Sequence, residues 1–219
     1  MFGSMTNTLL LGIFSALLLA RPAFALSADV AVVDRSGHPL ADAVIELSPE
    51  APQPVAPGRQ PLPEATIDQR HETFLPLVTV IRKGGQVIFT NNDTTMHQVY
   101  SFSPIRQFAF EIDEGQRSPP VVFDQAGVAA IGCNIHDRMI TYVYVARTPF
   151  AAKTDARGVV SFGDLPPGGY RGMAWHPQLG TAMRAFAFTM GQSGVKTTVA
   201  LPVNGTIASA KKTMHMQMY

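Results

Sequence analysis

Past the first 25 residues, no stretch of ten or more residues carries the 3.6-residue hydrophobic period of an amphipathic helix. The chain offers short runs of β-branched and aromatic residues instead, cut off by glycine, proline or asparagine. Leu77–Ile81, Gln86–Thr90, Gln98–Phe102, Phe108–Ile112, Val121–Phe123, Val128–Gly132 and Thr141–Ala146 are of this kind. The 17 prolines and 18 glycines suit the turns between such runs. The expected fold class is all-β, built as a sandwich of short strands. With 46% hydrophobic and 15% charged residues, against roughly 25% charged in an average chain, a disordered protein is excluded. The formal charge of +1 gives no basic field to recruit nucleic acid.

The exception at the start of the chain reads as a targeting segment. Leu9–Ala20 is an apolar run too short to span a bilayer but suited to the core of a signal peptide. Ala23-Phe24-Ala25 supplies small residues for cleavage, so residues 1–25 are expected to be removed and the protein exported to the periplasm. No later run approaches the length of a membrane span, so stable membrane insertion is not expected.

Export makes the single cysteine, Cys133, informative. A lone thiol in an oxidising compartment cross-links or oxidises unless it is buried or bound. It cannot belong to a disulfide framework or to a site needing two thiolates. Cys133, His136 and Met139 follow one another at three-residue spacing in G-C-N-I-H-D-R-M, so a loop can bring all three side chains together. A second imidazole, His97, follows the turn-forming Asn91-Asn92-Asp93. Two imidazoles, a thiolate and a thioether are the donor set of a blue-copper site, with a His₂Cys plane and a weak axial Met. Zinc rarely recruits a thioether, and iron–sulfur assembly lacks its thiolates here.

On these residues the chain resembles the cupredoxins, in plastocyanin- and amicyanin-like form. The short gap between His136 and Met139 is similar to the amicyanin loop. Further motifs widen the resemblance toward exported methylamine-utilisation proteins: F-x-P, G-x-x-V-x-F-x-N-x-D, H-x-V-Y-S-F-S, and T-D-x-x-G with L-P-P-G-x-Y and W-H-P. It implies a Greek-key sandwich over residues 64–147, with one type 1 copper held by His97, Cys133, His136 and Met139. Two departures stand out. Gln98 follows the first histidine where many cupredoxins carry the Asn that ties the ligand loops, leaving Asn92 or Asn134 to replace it. Asp137-Arg138 stand where an electron carrier usually has an apolar docking surface.

The flanks suggest a second module. Val30–Leu47 and Thr154–Trp175 resemble parts of a carboxypeptidase-regulatory or transthyretin-like sandwich. Residues 26–50 and 148–203 would then form a discontinuous accessory β-sandwich, joined through a Pro-rich linker at 51–63. A single enlarged sandwich is the alternative. Trp175 reads as a core residue, and His71 and His38 as members of exposed turns. Residues 204–219 are expected to be a flexible tail, in which Met214, His215, Met216 and Met218 form a soft secondary Cu(I) site.

No nucleophile elbow, phosphate loop, H-E-x-x-H or His-x-His cluster occurs, so an enzyme is not expected. The leading expectation is an exported blue-copper protein passing single electrons between redox partner proteins. The alternative is a periplasmic copper buffer or delivery protein with a copper-transfer partner. A weaker one is a carbohydrate- or protein-docking module.

Overall fold

A computed structural model describes residues 27–52, 62–136 and 138–205. The expected signal peptide and the Met/His tail lie outside the described residues. Fifteen strands are described and no α-helix, only a 3-10 turn at Pro177–Leu179, so the all-β expectation holds.

Three sheets organise the chain. β1 (Ser27–Val33) lies between β12 (Val159–Gly163), antiparallel, and β15 (Val195–Ala200), parallel. A four-stranded sheet runs in the order β11 (Phe150–Lys153), β2 (Val44–Pro49), β13 (Gly168–Trp175), β14 (Arg184–Met190). The largest sheet takes β3 (Leu62–Gln69), β4 (Phe74–Leu75), β5 (Val78–Asn91), β6 (His97–Ser101), β7 (Phe108–Ile112), β9 (Gly127–Cys133) and β10 (Ile140–Ala146), with β8 (Val121–Phe123) paired to β5. β3 starts at Leu62, inside the segment expected to be linker.

Alternation along the strands decides what each face buries. Val30 and Val32 of β1 meet Ile45 and Leu47 of β2, Phe162 and Tyr170 in one core. Ile67, Val87, Phe89, Val99, Ile131 and Val143 fill a second, within the largest sheet. β2 is buried on both faces. Its other face, through Val44, joins Val78, Tyr142, Tyr144 and Trp175 in a third cluster. Trp175 is fully buried, donates Nε1–H to the Gly180 carbonyl at 2.7 Å and packs its ring 5.7 and 5.8 Å from Tyr142 and Tyr144. It is a core residue, as its position after L-P-P-G-x-Y suggests.

β5 runs unbroken through Lys83-Gly84-Gly85, which from sequence reads as a turn. Gly84 takes φ +78° there, bending the strand without ending it. Residues before the bend pair with β10 and residues after it with β8, while β3 meets both sides, Leu62 opposite Ile81 and, after a register shift, Glu64–Gln69 opposite Gln86–Asn91. One long strand thereby reaches the far end of the sheet, where the ligand loops lie.

Beside Trp175, His176 is buried too, its Nδ1 accepting from Gln178 N. Burial pushes its pKa down to about 4, only partly countered by Asp42 and the Ala41 backbone. An unfolded chain takes up this proton near pH 6.5 while the folded one refuses it, so stability is lost as pH falls from about 6.5 toward 4. The stability gap between the wild type and a His176→Gln variant is expected to narrow by ~2 kcal/mol from pH 7 to pH 4.5 in urea titrations. A constant gap would contradict this assignment.

Candidate metal centre

Register brings the first two donors together. Val99 of β6 stands opposite Cys133 at the end of β9, and β6 alternates so that His97, Val99 and Ser101 point inward. Ala129, Ile131 and Cys133 do the same on β9. His97 Nδ1 ends 3.5 Å from Cys133 Sγ, both side chains buried. His136, in the loop between β9 and β10, completes a trio whose donor atoms lie within 4.8 Å of one another. Its ring centroid is 5.3 Å from that of His97. The loop is closed by Met139 N donating to the His136 carbonyl (3.0 Å) and Cys133 N to the Met139 carbonyl (3.3 Å). Met139 is buried in the same cluster as Cys133.

The donors fit a metal ion. A nitrogen and a sulfur 3.5 Å apart match bonds of ~2.0 and ~2.3 Å to one ion at a near-tetrahedral angle. His136 Nδ1 is buried without any hydrogen-bond partner. A buried acceptor is rarely left so, and an ion held with the neighbouring thiolate and imidazole would satisfy it. Two imidazoles, a thiolate and a nearby thioether suit copper by softness.

Around the donors sits a set of supporting groups, of which sequence reading left Asp93 and Glu72 unassigned. Gln98 and Asn134 tie the two ligand loops together: Asn134 N donates to the Gln98 carbonyl (3.0 Å), and Asn134 Nδ2 to Gln98 Oε1 (2.6 Å). Of the two replacements for the missing Asn, Asn134 makes the link, whereas Asn92 turns to Asp68. Asp93 approaches His97 Nε2 at 2.9 Å through Oδ2. Its carboxylate also accepts His71 N, and Glu72 N at 3.0 Å. Burial acts to raise the Asp93 pKa, but the bonds from Glu72 N, His97 and His71 N outweigh it and hold the carboxyl below its ordinary value. Glu72 Oε1 lies 3.5 Å from His136 Nε2.

His71 and Glu72 adopt φ +51° and +53°, a left-handed pair without glycine that costs roughly 1–2 kcal/mol per residue. His71 itself is exposed, in keeping with its reading as a surface turn, but its backbone and its neighbour face the donors. The sequence signal for Asp93 is slight: a carboxylate four residues before a histidine.

No family model matches the chain, and neither does any curated protein. Among solved structures, it is similar to a copper-containing nitrite reductase from Thermus scotoductus SA-01, at 26% identity over 44% of this chain and 26% of that one, TM-score 0.36. It is similar to a purple cupredoxin from Nitrosopumilus maritimus, at 24% identity over 37% of this chain and 98% of that one, TM-score 0.34. Amicyanin from Paracoccus versutus gives 22% identity over 45% of this chain and 96% of that one, TM-score 0.34. The chain thus spans about a quarter of the nitrite reductase. These neighbours are two cupredoxins and a copper enzyme, each matched over less than half of this chain.

Proposed function

We propose that this chain is an exported type 1 copper protein that carries single electrons between redox partners, with His97, Cys133, His136 and Met139 holding one copper ion. The observation that carries the reading is the convergence of two buried donors and one half-buried donor in a site whose His136 Nδ1 has no other partner. Bound copper would supply a one-electron Cu(II)/Cu(I) couple. The protein's part is to hold the donors still. His97 and Cys133 are anchored on paired strands rather than on free loops, which limits rearrangement between redox states. The side chain of His136 is 25% exposed, which gives it the solvent-facing edge through which an electron would pass.

Mature protein loaded with Cu(II) is expected to show an intense thiolate-to-copper band toward the red end of the visible. Cys133→Ser is expected to abolish it. A colourless protein that prefers zinc would overturn the reading. Export is tested by recovery from the periplasm with Leu26 as the first residue.

A second reading, copper buffering or delivery, is favoured by the polar surroundings of His136, where Glu72 lies 3.5 Å away. Deletion causing copper sensitivity while respiration is untouched would select it. In either case residues 26–50 and 148–203 are taken as an accessory sandwich, and the tail methionines as an additional Cu(I) site.

A further inference from the structure

A single hairpin turn reaches both imidazoles. β3 and β4 pair antiparallel through Gln69↔Phe74, and the turn between them closes with Arg70 N to the Thr73 carbonyl (3.0 Å) and Thr73 N to the Arg70 carbonyl (3.1 Å). The two residues at its tip, His71 and Glu72, both have positive φ, the signature of a type I′ hairpin, where Asn-Gly is the usual choice. In this conformation consecutive amides point the same way, and here both point at the Asp93 carboxylate. From across the loop, Asn91 Oδ1 accepts Asp93 N at 3.0 Å. Asp93 is therefore gripped at its side chain and its backbone, and Oδ2, which accepts Glu72 N at 3.0 Å, also meets His97 Nε2 at 2.9 Å.

We infer that Asp93 is the positioning residue for His97, and that the His71–Glu72 turn exists to hold Asp93. The inference rests on the copper reading for what the opposite nitrogen does. The carboxylate accepts a proton-bearing Nε2, so the neutral ring must carry its hydrogen there and present Nδ1, bare, toward Cys133 Sγ. The donor pair is thereby set before any metal arrives. Glu72 makes a looser contact to His136, through a carboxylate that is 67% exposed and 3.5 Å away, so its influence is smaller.

The test begins with metal-free mature protein, in which nitrogen NMR of the imidazoles reads the tautomers directly. Wild-type His97 is expected to be the Nε2–H form. In Asp93→Ala that preference should vanish, and Cu(II) affinity should fall by about 10–100-fold. Glu72→Gly keeps both turn amides and suits the positive φ. It should leave the His97 tautomer intact and change affinity by less than about five-fold. Asp93→Asn, which keeps the size but loses the charge, should fall between wild type and alanine in affinity and raise the reduction potential. It carries the test if the alanine variant does not fold. An unchanged His97 tautomer in Asp93→Ala, or an affinity within two-fold of wild type in either Asp93 variant, would overturn the inference. Failure of the copper reading shows up separately, as a wild-type protein without the thiolate-to-copper band, while the tautomer measurement remains readable.

Discussion

Alanine in place of Glu46 is expected to lower the free energy of unfolding of the metal-free protein by about 3–5 kcal/mol. The residue sits in the run Val44-Ile45-Glu46-Leu47, all four buried. Ile45 and Leu47 face the core shared with β1, which leaves Val44 and Glu46 facing the largest sheet. There the carboxylate accepts Tyr144 Oη–H at 2.7 Å, Arg147 N at 2.6 Å and Thr148 N at 2.8 Å. Hydrogen bonds to a charged acceptor contribute about 1.5–3 kcal/mol each, though not additively. The Arg147 guanidinium is 4.0 Å off and more than half exposed, so it contributes little. Burial and the carboxylate together raise the pKa of Tyr144, which therefore remains a donor across the working pH range.

Truncation leaves a hydroxyl and two amides without their acceptor in a place water reaches poorly. Glu46→Gln keeps one acceptor oxygen but turns its amide toward other donors, so about half the loss is expected. Urea unfolding at two ionic strengths checks both points. The loss should hardly change with salt, because the group is buried. A loss below ~1 kcal/mol would mean that the carboxylate does not join the sheets.

Glu46 also shows where sequence reading stops. The strand was legible, because V-I-E-L has the composition of one, but a glutamate in it reads as a solvent-facing residue. Only the third layer, packed over the outer face of β2, turns it into a buried acceptor. Local patterns carry no information about such a layer. The donors were legible for the opposite reason. Cys133, His136 and Met139 lie within one loop, and their chemistry is specific enough to stand out. His97 needed only a strand end after a turn. What holds them was not legible, since Asp93 meets His71 and Glu72 across a register that no local pattern sets. The hairpin at Arg70–Thr73 lacks the Asn-Gly signal of its turn type. Lys83-Gly84-Gly85 fails in the other direction, where a turn composition produces a bend in a strand still paired on both sides of it.

The largest effect near the metal centre is expected at Asn91, and its sign separates hydrogen bonding from packing. From sequence, Asn91 is one letter of a turn. In the fold it is the fully buried last residue of β5, and its amide group organises the loop that carries Asp93 and His97. Nδ2 donates to the Thr95 carbonyl at 2.8 Å and to the Ile112 carbonyl at 2.9 Å, while Oδ1 accepts Asp93 N. Asn91→Ala removes these bonds and strands the carbonyls, for a loss of about 2–3 kcal/mol. Asn91→Asp is nearly the same shape, yet it should be worse, at about 4 kcal/mol near neutral pH. The introduced carboxylate has no hydrogen to give, and both carbonyls point at it. Its pKa should therefore be raised in the folded state. By linkage, stability should fall as pH rises from about 4, the unfolded value, until the folded pKa is passed. The alanine variant should show no such extra slope. Asn91→Ala should weaken copper binding, because Asp93 loses the anchor on its backbone, whereas Asn91→Asp keeps an oxygen to accept Asp93 N and should weaken it only through the lost bonds to Thr95 and Ile112. If aspartate proves as stable as asparagine at pH 7, the two donated bonds do not hold the loop, and the position of His97 must be set from the β6–β9 register alone.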